Sequence, residues 1–168
     1  MHYFLTIGLW QKTNGISLGQ GKYVVDILKR FRMMDYKDMT TPMASNMNLL
    51  SVASSESVDD MMYRQMIGSL MYLTDMRPNI WIVMNTLSQF LMDLTHVHLV
   101  VANHVLRYLK GTIDYGLKYD ANQKINLEGY VDSDWAGSAI DRKSTSGCYF
   151  SMGSGVSLGL AGSNPVWH

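Results

Sequence analysis

The chain has 168 residues, 47% of them hydrophobic, with 14 basic and 14 acidic side chains and so a formal net charge of zero. That length holds one ordinary domain or two small ones with a real core. The neutral balance argues against a freestanding nucleic-acid binder, which draws most of its affinity from phosphate contacts.

Cys148 is the single cysteine, which excludes an internal disulfide and fits a reducing compartment. The opening residues MHYFLTIGLW carry no basic start or small-residue cleavage site, and no apolar run reaches the length of a membrane span. The expected setting is therefore intracellular, without a membrane partner. Fourteen methionines, flexible gap-fillers, predict a loosely specified core.

Two short apolar runs, Tyr3 to Ile7 and Ile16 to Leu18, flank Lys12-Thr13-Asn14-Gly15, and Asn-Gly between such runs signals a hairpin. Tyr23, Ile27, Leu28 and Phe31 then recur at helical spacing, with Lys29, Arg30 and Arg32 outward. Residues 35–57 are polar, contain Pro42 and read as a connector. Ser57-Val58-Asp59-Asp60 has the spacing of a capping box, and the helix it opens is predicted to bury Met62, Met66, Ile67, Leu70 and Leu73. Pro78 suits the first turn of the next helix, which would bury Val83, Met84, Leu87, Phe90 and Leu91. Thr95 can cap a third helix carrying Val101, Val105, Tyr108 and Leu109 and ending at Gly111. Short strands are expected at Gly116 to Tyr119, Leu127 to Asp132, Gly147 to Met152 and near Val156, grouped in one hairpin-rich sheet. The fold class is α+β, in two incomplete lobes: an N-terminal hairpin and helix, a central three-helix segment and a C-terminal antiparallel sheet.

His96, His98 and His104 lack the spacing and the cysteine company of a metal site and are expected at helix ends and in packing. Arg107, Lys110, Lys118, Arg142 and Lys143 are the cations available for phosphate, against a bland reading as solvated surface.

The stretch from Gly129 to Gly153 alternates into Asp132, then runs Asp134-Trp135-Ala136-Gly137, Asp141-Arg142-Lys143-Ser144-Thr145-Ser146-Gly147 and an aromatic strand, Cys148-Tyr149-Phe150. This wording resembles the start of ribonuclease H in the Pol polyprotein of copia-type retrotransposons, particularly plant ones. Upstream, His2-Tyr3-Phe4-Leu5, Gln20-Gly21-Lys22-Tyr23, Thr41-Pro42-Met43, Tyr63-Arg64-Gln65, Ile67 to Leu73, Arg77-Pro78 and Val105 to Thr112 resemble the same family in the same order. The match covers roughly residues 2 to 157, and several long motifs in order make it specific.

The resemblance implies a division into 1–56, the end of the reverse transcriptase near its primer grip; 57–112, a helical connection; 113–157, a ribonuclease H-like start cut short; and 158–168, an aberrant tail. It implies that Asp132 descends from the first catalytic aspartate, with Asp134 as the alternative, in a site that uses two Mg2+ ions to cleave RNA in an RNA–DNA hybrid. No acidic residue follows Asp141, so no bound cofactor, a vestigial metal ligand and no retained hydrolysis are expected. Asp59-Asp60 imitates a polymerase aspartate pair, but it follows the primer-grip match and opens a helix, so the capping role is the better account. The expected function is an inactive piece of a reverse transcriptase/ribonuclease H polyprotein with weak or no nucleic-acid binding; the alternative is a non-catalytic module binding nucleic acid or a partner. Residues 160–168 admit codons whose shifted frame reads Ser-Arg-Lys-Gln, the family's continuation, which predicts a frameshifted tail that does not pack.

Overall fold

The computed structural model describes residues 2–4, 6–44, 59–92, 94–122, 126–134, 144–152 and 155–164. Strands β1 (His2–Phe4), β2 (Ile7–Lys12) and β3 (Gly15–Gly19) precede helix α1 (Gly21–Arg30). Helices α2 (Asp60–Met71), α3 (Pro78–Ser88) and α4 (His96–Gly111) follow, with a single 3-10 turn at Thr74–Met76. Strands β4 (Gly116–Asp120), β5 (Leu127–Asp134), β6 (Ser144–Met152) and β7 (Gly155–Asn164) complete the described chain. The mixture is α+β, as the periodicities predict.

The four helices form the core, with α1 against α4 and α2, α3 and α4 in mutual contact. Val24, Ile27 and Leu28 of α1 meet Leu70 of α2, Leu87 of α3 and Leu106 of α4 in one apolar cluster. Fully burying a side chain of this size is worth about 1.5–3 kcal/mol, so this cluster supplies most of the drive to fold. The helical periodicities hold with one exchange in α2: Tyr63 is buried and Met62 is exposed. The phenol can be buried because its hydroxyl donates to the Leu87 carbonyl at 3.2 Å. Among the described methionines only Met33, Met66 and Met84 are buried, while Met61 and Met92 are exposed. The buried cluster is chiefly branched aliphatic, with Met34, Met39 and Met43 packed partly buried against it.

Helix ends are set by local chemistry. The start of α2 is capped by Asp59, whose Oδ1 accepts from the Met61 and Met62 amides at 3.0 Å each. The cap lies two residues later than expected, and Ser57 is outside the described residues. At α4 the Thr95 amide donates to His98 Nδ1 at 3.1 Å, and the His98 ring stacks on Phe90 with centroids 4.1 Å apart. A histidine here takes the third-position role usually filled by Glu or Gln. After α1, Arg32 has φ 57°, with its amide bonded to the Lys29 carbonyl at 3.2 Å and the Met33 amide bonded to the Leu28 carbonyl at 2.8 Å. That is a Schellman ending with arginine where glycine is usual.

The first sheet has the order β1-β2-β3-β4, all antiparallel. The run Tyr3 to Ile7 is not one strand: Phe4 pairs with Ile7, and Thr6 has φ 66°. The expected hairpin is present, with Lys12 paired to Gly15 across Thr13-Asn14. The positive φ falls on Gly15, at 148°, where a Cβ would sit 2.0 Å from the Tyr119 carbonyl oxygen. Strand β4 pairs with β3, from Gly15↔Asp120 to Gly19↔Gly116. The single sheet expected from Gly116 to Val156 is therefore two sheets, because the open edge of β3 was available to β4.

The second sheet is a meander, β5-β6-β7, with β6 in the middle. Strand β6 begins at Ser144, three residues before the expected start at Gly147. The tail expected not to pack continues β7 as far as Asn164, paired to Ser144. Val156, Leu158 and Leu160 alternate with Ser157, Gly159 and Ala161, a period of two that suits a strand beside the long edge of β6.

Candidate nucleic-acid interface

Among the described residues, the cations picked out from sequence lie on two elements, Arg107 and Lys110 on α4 and Lys118 on β4. Arg107 and Lys110 lie one turn apart on α4 and reach the connector after α1. Arg107 Nε donates to the Lys37 carbonyl and Lys110 Nζ to the Tyr36 carbonyl, each at 2.6 Å. The Met39 amide donates to the Arg107 carbonyl at 3.2 Å, and His104 Nε2 lies 2.9 Å from the Thr41 carbonyl oxygen. These side chains hold residues 36–41 along α4. Arg142 and Lys143 lie outside the described residues.

Asp132 and Asp134 stand two positions apart in β5, opposite Gly147 and Thr145 of β6. Mg2+ demands near-octahedral oxygen coordination from several groups. Among the described residues no group of three or more His, Cys, Asp or Glu side chains is placed to hold a metal ion. Asp59 is committed to its helix cap and His98 to Thr95. Among the described residues no helix is long and apolar enough to cross a membrane.

A cavity of about 500 Å³ opens elsewhere, between the first sheet, the start of α1 and residues 113–118. Register explains its shape, because paired residues of an antiparallel sheet share a face. One row across three strands is Gly8, Gly19 and Gly116; the next is Trp10, Ser17 and Lys118; the third is Lys12, Gly15 and Asp120. Glycine leaves room, and the Trp10 indole fills it: a Cβ on Gly8 would lie 2.6 Å, and one on Gly19 3.1 Å, from that ring. Lys12, Lys118, Asp114 and Tyr115 also line the cavity. Lys118 Nζ lies 3.8 Å from Asp120 Oδ2, and Tyr115 is exposed. Lys118 was legible as an available cation; Trp10, Lys12 and Tyr115 were missed. The alternation Trp10-x-Lys12 was visible, but the pairing that sets it beside Lys118 was not.

Arg77 is buried at the edge of this region and donates to Thr112 Oγ1 at 2.9 Å, the Ile113 carbonyl at 3.3 Å and the Tyr115 carbonyl at 3.1 Å. Burial lowers its pKa, and nearby Tyr108 acts in the opposite direction. The segment 112–115 that walls the cavity is thus fixed from inside by one guanidinium.

The chain is 38% identical over 153 residues to the retrovirus-related Pol polyprotein from transposon RE1 of Arabidopsis thaliana, covering 91% of this chain and 10% of that protein. It is 39% identical over 151 residues to an uncharacterized mitochondrial protein of the same plant, covering 89% of this chain and 62% of that protein. It is 33% identical over 146 residues to the retrovirus-related Pol polyprotein from transposon TNT 1-94 of Nicotiana tabacum, covering 83% of this chain and 11% of that protein. No family model matches the sequence and no solved structure matches the chain. Identity at this level, spread over almost the whole chain and repeated in polyproteins of two plants, is not a shared motif but shared descent: the chain is related to a segment of the retrovirus-related Pol polyproteins of plant transposons and spans about a tenth of their length.

Proposed function

We propose that the chain corresponds to the junction between reverse transcriptase and ribonuclease H in a copia-type Pol polyprotein, and that by itself it catalyses neither reaction. In this reading residues 1–56 close the polymerase, 57–112 connect, 113–157 begin a ribonuclease H-like unit and 158–168 diverge. Asp132 is the vestige of a Mg2+ ligand, with Asp134 as the alternative. The observation that carries the reading is Asp132 in the first strand of the β5-β6-β7 meander, opposite Gly147. The full polyprotein would act on RNA–DNA hybrids. This chain is left with weak, sequence-blind contact to nucleic acid, since its net charge is zero.

The test is a labelled RNA–DNA hybrid incubated with the chain and Mg2+, and titrated at two salt concentrations. The expected outcome is no cleavage above background and a dissociation constant no tighter than about 10⁻⁶ M near physiological salt. Cleavage lost in Asp132→Asn would overturn the inactive assignment, and sub-micromolar hybrid binding would overturn the weak one.

A further inference from the structure

We infer that the cavity beside Trp10 is a nucleotide site, in which one unstacked nucleobase lies on the indole and its phosphate sits toward Lys12. The inference rests on the nucleic-acid reading above and narrows it from backbone contact to base stacking at one place.

Four observations converge. The volume, about 500 Å³, lies in the range of small-ligand pockets. The sheet face beneath is pared down, with glycine at Gly8, Gly19 and Gly116 and serine at Ser17, so nothing but Trp10 rises from its centre. A flat ring bedded on a glycine pair is a rigid platform, and base–aromatic stacking tolerates every base. Lys12 and Lys118 line the cavity on the same sheet face as that ring, as a phosphate requires, and exposed Tyr115 lines it as well. Charge sets the balance of forces. Asp114 lines the same cavity and Asp120 faces Lys118, so little net positive charge remains. Affinity therefore comes from the ring, not the phosphate, and depends only weakly on salt. Backbone binding driven by counterion release behaves in the opposite way.

The test uses the full chain and three ligands: a short labelled DNA single strand, the same strand with abasic sites, and AMP. The intact strand is expected to bind about tenfold or more tighter than the abasic one. Trp10→Leu should abolish that difference and Trp10→Tyr should retain most of it. A strand that binds tighter than AMP assigns the site to polymer, and equal affinity assigns it to free nucleotides. In the unaltered chain, the Trp10 indole ¹⁵N–¹H resonance should move with AMP and stay still with ribose 5-phosphate. An unmoved resonance, or equal affinity for intact and abasic strands, overturns the site whatever the variants do. Sub-micromolar hybrid binding with base-dependent strand binding intact refutes only the broader reading; base-independent strand binding refutes only the groove.

Discussion

Arg77 puts a charge in the interior and answers it with three neutral oxygens at the C-terminal end of α4. That end carries unsatisfied carbonyls and the negative pole of the helix dipole, so a cation belongs there. Removing it strands several acceptors at once. Arg77→Ala is expected to cost about 3 kcal/mol in a urea melt, and Arg77→Lys to recover less than half, because a single ammonium nitrogen lacks the planar spread of the two guanidinium nitrogens that reach these oxygens. Full recovery by lysine would show that charge alone matters. Tyr63 is the second buried group with a measurable signature. Burial pushes its phenol well above the ordinary value of 10.0. Below that pH both folded and unfolded states keep the proton and the stabilisation is complete; as pH rises toward the folded value the unfolded state ionises first and stability is lost. Tyr63→Phe should cost about 1 kcal/mol at neutral pH through the lost bond to Leu87. That deficit should shrink in melts above about pH 10. A deficit constant with pH would refute the burial account.

At the scale of elements, α1 ends on Arg32 in the left-handed region, at φ 57°. An L-residue there costs about 1–2 kcal/mol. Arg32 is exposed, so Arg32→Gly should raise stability by about 1 kcal/mol, read as a higher melting temperature; a lower one would show that the side chain contributes more than the backbone loses. The helices were legible in the sequence because their signals are local. Apolar residues recur within one or two turns, and Asp59, Pro78 and Thr95 mark starts a few residues away. Even where the residue differed, Tyr63 for Met62, the face was off by a single position. Strands carry no such record of their partners. The alternation of Gly116 to Asp120 says strand but not which edge it joins, and the groove exists only once β2, β3 and β4 are in register. Arg107 and Lys110 were legible as cations, yet their use depends on a connector some 70 residues earlier coming alongside α4. The role proposed for Asp132 rests on resemblance alone, since an aspartate within a strand has no signature of its own.

For the whole molecule, the pairing of β3 with β4 closes residues 2–120 into one body that contains the helical core. A chain cut after residue 122 keeps every strand of the first sheet, all four helices and all three acceptors of Arg77. A chain cut after 112 loses β4 and two of those acceptors, Ile113 and Tyr115. The longer form is expected to melt cooperatively near the full chain's temperature, and the shorter one to be destabilised by several kcal/mol, on the order of the Arg77 loss plus the freed sheet edge. Equal melting of the two would mean that the boundary suggested by resemblance, at 112, is also the physical one.

The same closure has a cost during synthesis. Ser17 waits for Lys118, about 100 residues later in the chain. A ribosome adding about 5–20 residues per second leaves that edge without its neighbour for roughly 5–20 s. The β2–β3 hairpin itself forms in about 1–10 μs. While those roughly 100 residues are being added, then, the nascent chain displays a finished ribbon with Ile16 and Leu18 on an open side, ready to be joined by any extended strand. The last helix must leave the exit tunnel before the chain can shield itself.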